Sequence, residues 1–561
     1  DLLFSRWNSF SRVTVMRTRG PALLILIDAD AATFLSERGG EPQYYPDRRD
    51  ALGALPYRIK EKAEVLVLGS GGGDDVLMAR LNGAVKVTGV EVNPIIARDI
   101  VSTEPFKSYS GDLFFKPGVQ LVVDDARSYL RRPGGRYDVV LGTLVDTWAA
   151  TAAGAFALAE NHLYTVEAFR DYARRLKDDG VLALTRWYFE PPDQMLRLVS
   201  LARAMMQAEG IADPDWHVMV VRDRLSATGR SPATFLFKKS RFTVAEVESI
   251  EEFARLRGFG ILYTPLTRPP GPFTDLMTAA DPRAVWNDFP TAIAPPTDDS
   301  PFFFNNLRLR DLVGLGSMPS EWRKTNRGTV LLFALFGVAL LLVALFVVGP
   351  LLLRKRRDLE GIGREGGRWL GYFTALGAGF ILIEVALLQR FIVLVGPPVY
   401  SLTVVLFSIL AGSAVGSGLT ARWDGSRLRE RLVRLLPRIA AVVLAYAIGL
   451  PWVIDLLVPY ARPVRLLAAA LLTLPLGVLL GMPMPAGLRC LRAERPALVP
   501  WAWGMNGAAS VTASIGALIV AILSGFTMVL TLGSLAYVAA RFCLDSRPLL
   551  RLRRASGPGR Y

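Results

Sequence analysis

The chain has 561 residues, 51% of them hydrophobic, with 65 Lys+Arg against 50 Asp+Glu and a formal net charge of +15. It is too apolar for a disordered protein and carries no fibre-type repeat. Two cysteines (Cys490 and Cys543) and two histidines exclude a disulfide scaffold and argue against a Cys- or His-based metal centre, so no metal is assigned.

Residue 1 is Asp rather than Met, so the natural start is expected upstream and the lack of a signal peptide carries no weight. Residues 1–60 read as a β-rich piece: short segments such as Arg12–Met16 and Leu23–Ile27 are broken by Gly and Pro. From residue 64 the rhythm changes. Apolar runs Glu64–Leu68, Val85–Val90, Val119–Val123, Val139–Leu141 and Val181–Leu184 alternate with helical stretches at 74–82, 94–102, 125–132 and 166–177. Strands separated by helices predict a parallel sheet with crossover helices over 61–300, with one further strand at 232–238. The Pro-rich stretch 264–301 reads as an ordered cover or linker, and 301–328 as a linker.

After Arg327 long apolar segments follow at about 329–353, 370–395, 399–421, 438–456, 464–486, 503–525 and 527–541. Most reach the roughly 20 residues a bilayer span requires, which predicts a helical transmembrane bundle of about seven helices over 329–541, then a basic tail at 542–561. Trp369, Trp452, Trp501 and Trp503 stand near segment ends, where interfacial aromatics collect. Residues 354–369 hold six Arg/Lys, 422–438 six Arg, 487–496 three, and the tail from Arg541 six, whereas the alternate loops hold two in all. By the positive-inside rule the first set faces the cytoplasm, and the net charge reads as an orientation signal. Basic residues spread over loops form no single face for phosphates, so no nucleic-acid partner is expected.

The run Val65-Leu-Val-Leu-Gly69-Ser70-Gly71-Gly72-Gly73-Asp74-Asp75 is strand, glycine turn and helix start. Glycines let a backbone approach a ligand where a Cβ would collide, and Asp74 or Asp75 can cap the helix. Glu91 ends the next strand, where a carboxylate can accept from a ribose diol. Asp125-Ala126 ends the third, a position suited to an adenine amino group, and Thr143 and Asp146 close the fourth. Together these predict a nucleoside site. The turn is not a clean Gly-x-Gly-x-x-Gly, because Asp74 or Val76 fills the last glycine slot, and acidic residues at the helix start oppose a pyrophosphate. The expected ligand is therefore S-adenosylmethionine or its decarboxylated form, on an α/β, Rossmann-like class I S-adenosylmethionine-dependent transferase domain.

Residues from about 8 to 240 resemble spermidine synthase (polyamine aminopropyltransferase), through the β-rich start, the glycine turn, Gly89-Val-Glu91-Val-Asn93-Pro94, Asp125-Ala126 and Tyr137-Asp-Val-Val140. Gly377-Ala-Gly-Phe-Ile-Leu-Ile-Glu384, Gln389-Arg390-Phe391, Gly396-Pro-Pro-Val-Tyr400 and Gly412-Ser-Ala-Val-Gly416-Ser417 resemble the membrane helices of bacterial proteins that fuse a bundle to such a domain. The resemblance implies a multi-pass protein of a bacterial cytoplasmic membrane that transfers an aminopropyl group to a polyamine or other small amine. It allows a homodimer. Two departures stand out. Gly72 occupies the slot of the family's turn aspartate unless Asp74 serves, and Thr143-Leu-Val-Asp146-Thr147 replaces Asp-Ser-Ser-Asp-Pro, so one carboxylate of the amine-binding pair is missing.

Asp146 is thus the expected acid/base group, with Glu160, His162 and Tyr164 as candidates to complete the pocket. The alternative for the last two is a helix entry, with Thr165 as N-cap and Tyr164 packed inward. Tyr44, Tyr45 and Asp47 resemble the lid side of the family's pocket, or simply pack. His217 is expected at the surface. In the bundle, Glu384 is a mid-helix carboxylate that reads either as a proton- or polyamine-binding site or as an interhelical hydrogen bond that fixes packing; its candidate partner is Asn506, because Arg390 lies about 120° round the helix. Asn506, Ser510 and Ser514 form a small, polar stripe, and Pro475, Pro483 and Pro485 are expected to break the fifth helix. Methyl transfer to a lipid or small amine, and a transporter or sensor with a non-catalytic nucleoside domain, are the competing functions. If the first span crosses once, the front domain faces away from the Arg-rich loops, whereas S-adenosyl compounds are cytosolic; the sequence leaves its side open.

Overall fold

In a computed structural model of the chain, the described residues are 1–9, 11–28, 31–38, 48–145, 158, 160–225, 231–311, 326–354, 363–396 and 398–544. They divide into two compact units, Asp1–Thr329 and Val330–Tyr561.

The first unit opens with an antiparallel sheet in the order β1 (Leu2–Trp7), β2 (Arg12–Arg17), β3 (Ala22–Ile27), β4 (Ala31–Ser36). A second sheet combines β5 (Glu64–Leu68), β6 (Lys86–Glu91), β7 (Val119–Val123), β8 (Tyr137–Thr143), β9 (Leu176–Tyr188), β10 (Val218–Arg222), β11 (Ser231–Lys238) and β12 (Gly260–Tyr263). Its order is β12-β10-β11-β9-β8-β5-β6-β7. Strands β5 to β9 run parallel, while β11 is antiparallel to both β9 and β10. This is the doubly wound, Rossmann-like arrangement that the rhythm of apolar runs predicts.

Those runs are continuous because both faces of the sheet are covered. Side chains alternate across a strand, so Val65, Val67, Val139, Leu141, Val181 and Ala183 enter one core. Leu66, Leu68, Val140, Leu182 and Leu184 enter the other. The helix after β5, α1 (Asp74–Leu81), covers the first face with the β2–β3 side chains Val13, Val15, Leu23 and Ile25. Helices α2 (Ala126–Arg131), α3 (Val166–Arg175) and α4 (Asp193–Ala208) cover the second. The chain therefore leaves β5 and β8 toward opposite faces, which opens a crevice at their carboxyl ends.

Elements of this unit without a counterpart among the predicted segments include β10, β12, α4 and α5 (Val244–Arg257). The last carries a readable signal, a capping box in which Thr243 and Glu246 satisfy each other's backbone. The Pro-rich cover contains two short helices, α6 (Pro272–Thr278) and α7 (Pro282–Asp288). The stretch expected as a linker from 301 is core at its start: Phe302, Phe303 and Phe304 are buried. Buried Arg197 on α4 binds their backbone, donating to the carbonyls of Ala292, Phe302 and Phe303. His217, expected at the surface, is buried, with Nδ1 against the Lys238 carbonyl and its ring stacked on Phe237.

Among the described residues the second unit has seven helices long and apolar enough to cross a membrane, so the chain is a multi-pass membrane protein. They begin with α8 (Arg327–Val343, continuing as a helix to Leu351), α9 (Gly363–Val395), α10 (Pro398–Ala421) and α11 (Leu428–Leu457). The fifth span is broken, α12 (Arg462–Leu480) being followed by α13 (Pro483–Glu494). Pro483 opens the second half, whereas Pro475 lies inside unbroken helix. Helices α14 (Val499–Ser524) and α15 (Phe526–Leu544) complete the set. Trp452 and Trp503 are exposed, as interfacial residues should be. Trp369 is not: it is buried and donates Nε1 to Glu494 at 3.0 Å.

Candidate functional site

The crevice between β5 and β8 starts at the glycine turn. Gly69, Gly71 and Gly73 have φ of +67°, +50° and +101°. The space beside the turn is taken by β4. A Cβ on Gly71 would stand 2.7 Å from Thr33 Oγ1, and one on Gly72 only 2.1 Å from the Phe34 carbonyl oxygen. Thr33 Oγ1 also accepts from the Gly72 N–H at 3.1 Å. These two glycines are therefore demanded by the small sheet, a reason the sequence does not contain. Ser70 lies beneath, buried against Gly89, and its hydroxyl has no partner among the described residues.

Neither aspartate of the turn caps α1, whose N-cap is Gly73 with no side-chain bond. Asp74 instead pairs with Arg48 at 2.5 Å and accepts from Ser36 Oγ. Asp75 points inward and accepts from Thr143 Oγ1 at 2.9 Å, which ties the helix start to the end of β8. Burial pushes its carboxyl up to about 6 despite that hydroxyl. Asp75, expected as a possible helix cap, instead serves the end of β8.

Glu91, at the end of β6, is 5% exposed. Its Oε1 accepts from the Asn93 N–H at 2.8 Å and its Oε2 from the Gly71 N–H at 2.9 Å. Burial raises its pKa, with the N–H groups of Asn93, Gly71 and Val92 opposing. A carboxylate has about four lone-pair positions, so two bonds leave it able to accept others. Asp125 is the N-cap of α2, its Oδ1 accepting from the Ser128 N–H at 2.8 Å, and Ala126 enters the core. The preceding Asp124 pairs with Arg132 at 2.6 Å.

Beyond β8, Asp146 lies outside the described residues, as do Tyr44, Tyr45 and Asp47. Val145 is described, and its side chain sits over Gly69. Tyr164 packs inward on Phe303, and its hydroxyl donates to the Val145 carbonyl at 3.1 Å. Thr165 caps α3 by accepting from the Ala168 N–H. The helix-entry reading thus describes both residues.

Glu160 and His162 behave differently. The carboxylate Oε2 and the ring Nε2 stand 4.0 Å apart with side chains 11% and 13% exposed, and Nδ1 stands 4.0 Å from Asp298 Oδ1. Glu160 Oε2 and both His162 nitrogens are buried without a hydrogen-bond partner among the described residues. Burial pushes the Glu160 carboxyl up to about 8. It also lowers the His162 pKa, with Asp298 opposing. Behind them Arg127, in the first turn of α2, donates Nε to Asp171 at 2.7 Å, Nη1 to the His162 carbonyl at 2.5 Å, and both terminal nitrogens to Asp298. Thr165 Oγ1 donates to Asp298 at 2.6 Å, and the Asp298 N–H donates to Glu167. Burial works against the Asp298 carboxylate, but Arg127, His162 and Thr165 outweigh it and its pKa falls. Asp298 and Arg127 were absent from the sequence-predicted site, and only folding brings them there.

In the bundle, Glu384 and Asn506 do not pair. Asn506 Nδ2 donates to the Phe373 carbonyl at 3.1 Å, and Ser510 Oγ contacts the Gly377 carbonyl at 3.2 Å. Ser514 is exposed and donates to its own helix, so the expected stripe ends at Ser510. Among the described residues no group of His, Cys, Asp and Glu could hold a metal ion.

Fold and crevice together define a doubly wound, Rossmann-like α/β domain, joined in one chain to seven apolar spans among the described residues. No protein-family model matches the chain, and no curated protein matches it by sequence. Among solved structures, a probable spermidine synthase from Corynebacterium glutamicum is 17% identical with a TM-score of 0.35, covering 52% of this chain and 95% of that one. Spermidine synthase from Thermotoga maritima is 16% identical with a TM-score of 0.32, over 45% and 78%. A putative methyltransferase from Escherichia coli is 12% identical with a TM-score of 0.23, over 35% and 88%.

Proposed function

We propose that the first unit is a membrane-anchored transferase that moves an alkyl group from an S-adenosyl compound to a small amine, with aminopropyl transfer from decarboxylated S-adenosylmethionine to a polyamine as the leading reaction. The observation that carries this is the pair Glu160–His162. It offers a carboxyl held at about 8 beside an imidazole whose pKa burial lowers, and Glu160 Oε2 and both ring nitrogens have no hydrogen-bond partner among the described residues. An amine becomes a nucleophile only after losing a proton, and an acceptor titrating near neutrality serves that step.

The ionised Glu160, with His162 beside it, draws the ammonium in and takes its proton. The amine lone pair then attacks the carbon next to the sulfonium. The new C–N bond forms as the C–S bond breaks, and the sulfur leaves with the bond pair as a neutral thioether. Asp146, where the family places its surviving acid, is assigned the second carboxylate. The nucleoside is assigned to Glu91, which keeps lone pairs for a sugar diol, to the unpartnered Ser70 hydroxyl, and to Asp125 for an adenine amine. Gly69, Gly71, Gly73, Asp74, Ala126 and Thr143 frame this side, and Tyr44 and Tyr45 the amine side.

One observation favours a second reading, a domain that binds a nucleoside without catalysis: the Gly71 N–H is already held by Glu91, and Gly72 is closed by β4. The full chain in detergent, given labelled S-adenosylmethionine or its decarboxylated form with putrescine, separates the readings. Labelled spermidine from the decarboxylated donor alone, lost in Glu160→Gln, is the expected result. Methylated product from S-adenosylmethionine would replace aminopropyl by methyl transfer, and binding without product would leave the second reading.

A further inference from the structure

Glu384 lies within α9, a 33-residue helix from Gly363 to Val395. It is half-buried and, among the described residues, has no hydrogen bond or ion pair. Several neighbouring polar side chains do have partners. Arg390 donates to Thr527, Arg465 to the Leu394 carbonyl, Asn506 to the Phe373 carbonyl and Tyr372 to the Pro483 carbonyl. A packing role for Glu384 would require a bond to a neighbouring helix, and no such bond is present among the described residues.

Its position follows from the register. Residues seven apart return to nearly the same helix face, so Glu384 shares the face of Gly377. There a Cβ would stand 2.3 Å from the Asn506 carbonyl oxygen, which places α14 against that face. Helix α14 contains no ionisable residue. On the side of α15, Gly379 meets Tyr537 and Ile383 meets Gly533, so the one titratable group of that helix near this level is Tyr537. The ionisable residues of α10 and α12 stand near the starts of those helices (Tyr400, Arg462, Arg465). In α11, Tyr446 donates to the Leu472 carbonyl and Asp455 lies in the last turn. Those of α13, Arg489 to Glu494, belong to the end that also holds Trp369.

Hydrocarbon penalises an unpaired carboxylate, so Glu384 needs a cation at its oxygens. A metal ion would need several oxygen ligands, and no group of His, Cys, Asp and Glu among the described residues could hold one. The one cation a single carboxylate holds unaided is a proton. We propose that Glu384 is a proton-binding site of the membrane unit, an acid that takes up and returns one proton inside the helix bundle.

Dicyclohexylcarbodiimide, which enters apolar regions and reacts with protonated carboxyls, tests this on the full chain in lipid nanodiscs. The expected result is incorporation at Glu384, mapped by peptide mass, falling about tenfold per pH unit on the alkaline side of its titration. Infrared difference spectra between acid and alkaline buffer should show a carboxylic-acid band that is lost in Glu384→Gln and shifted in Glu384→Asp. No incorporation at Glu384 in the wild-type chain, incorporation independent of pH, or identical difference spectra for wild type and Glu384→Gln would each overturn the proposal.

Discussion

Arg127 and Asp298 lie 171 positions apart and meet in a two-pronged ion pair, Nη1 to Oδ1 at 3.1 Å and Nη2 to Oδ2 at 3.0 Å. The same guanidinium holds Asp171 and the His162 carbonyl, so one buried cation joins α2, α3, the loop after β8 and the segment beyond α7. Asp298 belongs to a stretch whose backbone is also tied down, with the Asn161 N–H on the Pro301 carbonyl and the Val166 N–H on that of Pro296. The candidate acid–base pair is thus braced from the far end of the domain.

Removing one partner of a buried pair leaves an uncompensated charge, at a cost of about 3–5 kcal/mol. Asp298→Ala is expected to destabilise the first unit by about 3 kcal/mol, since Thr165 and Asp171 still face the cation. Hydrogen exchange of the full chain should show faster exchange across residues 160–170, while α9 and α14 are unchanged.

Glu160 sets a pH dependence of known sign. Its carboxyl rises from 4.5 to about 8 on folding, so between those values the folded state holds a proton that the unfolded state has released. Its contribution to stability is fully present below 4.5 and declines as pH rises to about 8. Glu160→Gln should remove that decline, so the variant gains on wild type as the solution is made alkaline. Thermal unfolding of both chains over this range checks it. Transferase activity should climb with pH through about 8 in the wild type and be absent from the variant at every pH.

Gly72→Ala would force a Cβ to 2.1 Å from a backbone oxygen, where no side chain can move aside. A cost of about 1–3 kcal/mol is expected from the enforced shift of β4. Thr33→Val, which removes the bond to the Gly72 N–H, should cost about 1 kcal/mol. Denaturant titration of the full chain, followed by proteolysis of residues 1–60, should rank the two in that order.

Glu91→Gln keeps one acceptor oxygen and turns the other position into a donor facing an N–H. The variant should lose about 1–3 kcal/mol of stability and bind S-adenosylmethionine at least tenfold more weakly in calorimetry, about 1.4 kcal/mol. Unchanged affinity with lowered stability would assign Glu91 to the turn alone.

The sequence by itself determined the layered architecture and the membrane unit, because both rest on repetition along the chain. Five apolar runs with helices between them are a doubly wound sheet wherever both faces are buried, and seven long apolar segments are spans whatever their order. Thr165 as a cap and the turn at Gly69–Gly73 were legible for the same reason: their partners lie a few residues away. Tertiary structure alone decided why Gly71 and Gly72 are glycine, since the obstacle is Thr33 and Phe34 of another sheet. It also decided that Asp75 turns inward to Thr143, that His217 is buried, and that Asn506 serves Phe373 while Glu384 goes unpaired. Above all it delivered Asp298 to Arg127. Hydrophobic periodicity reports which face of an element is covered, but only the closed fold specifies which distant side chain covers it.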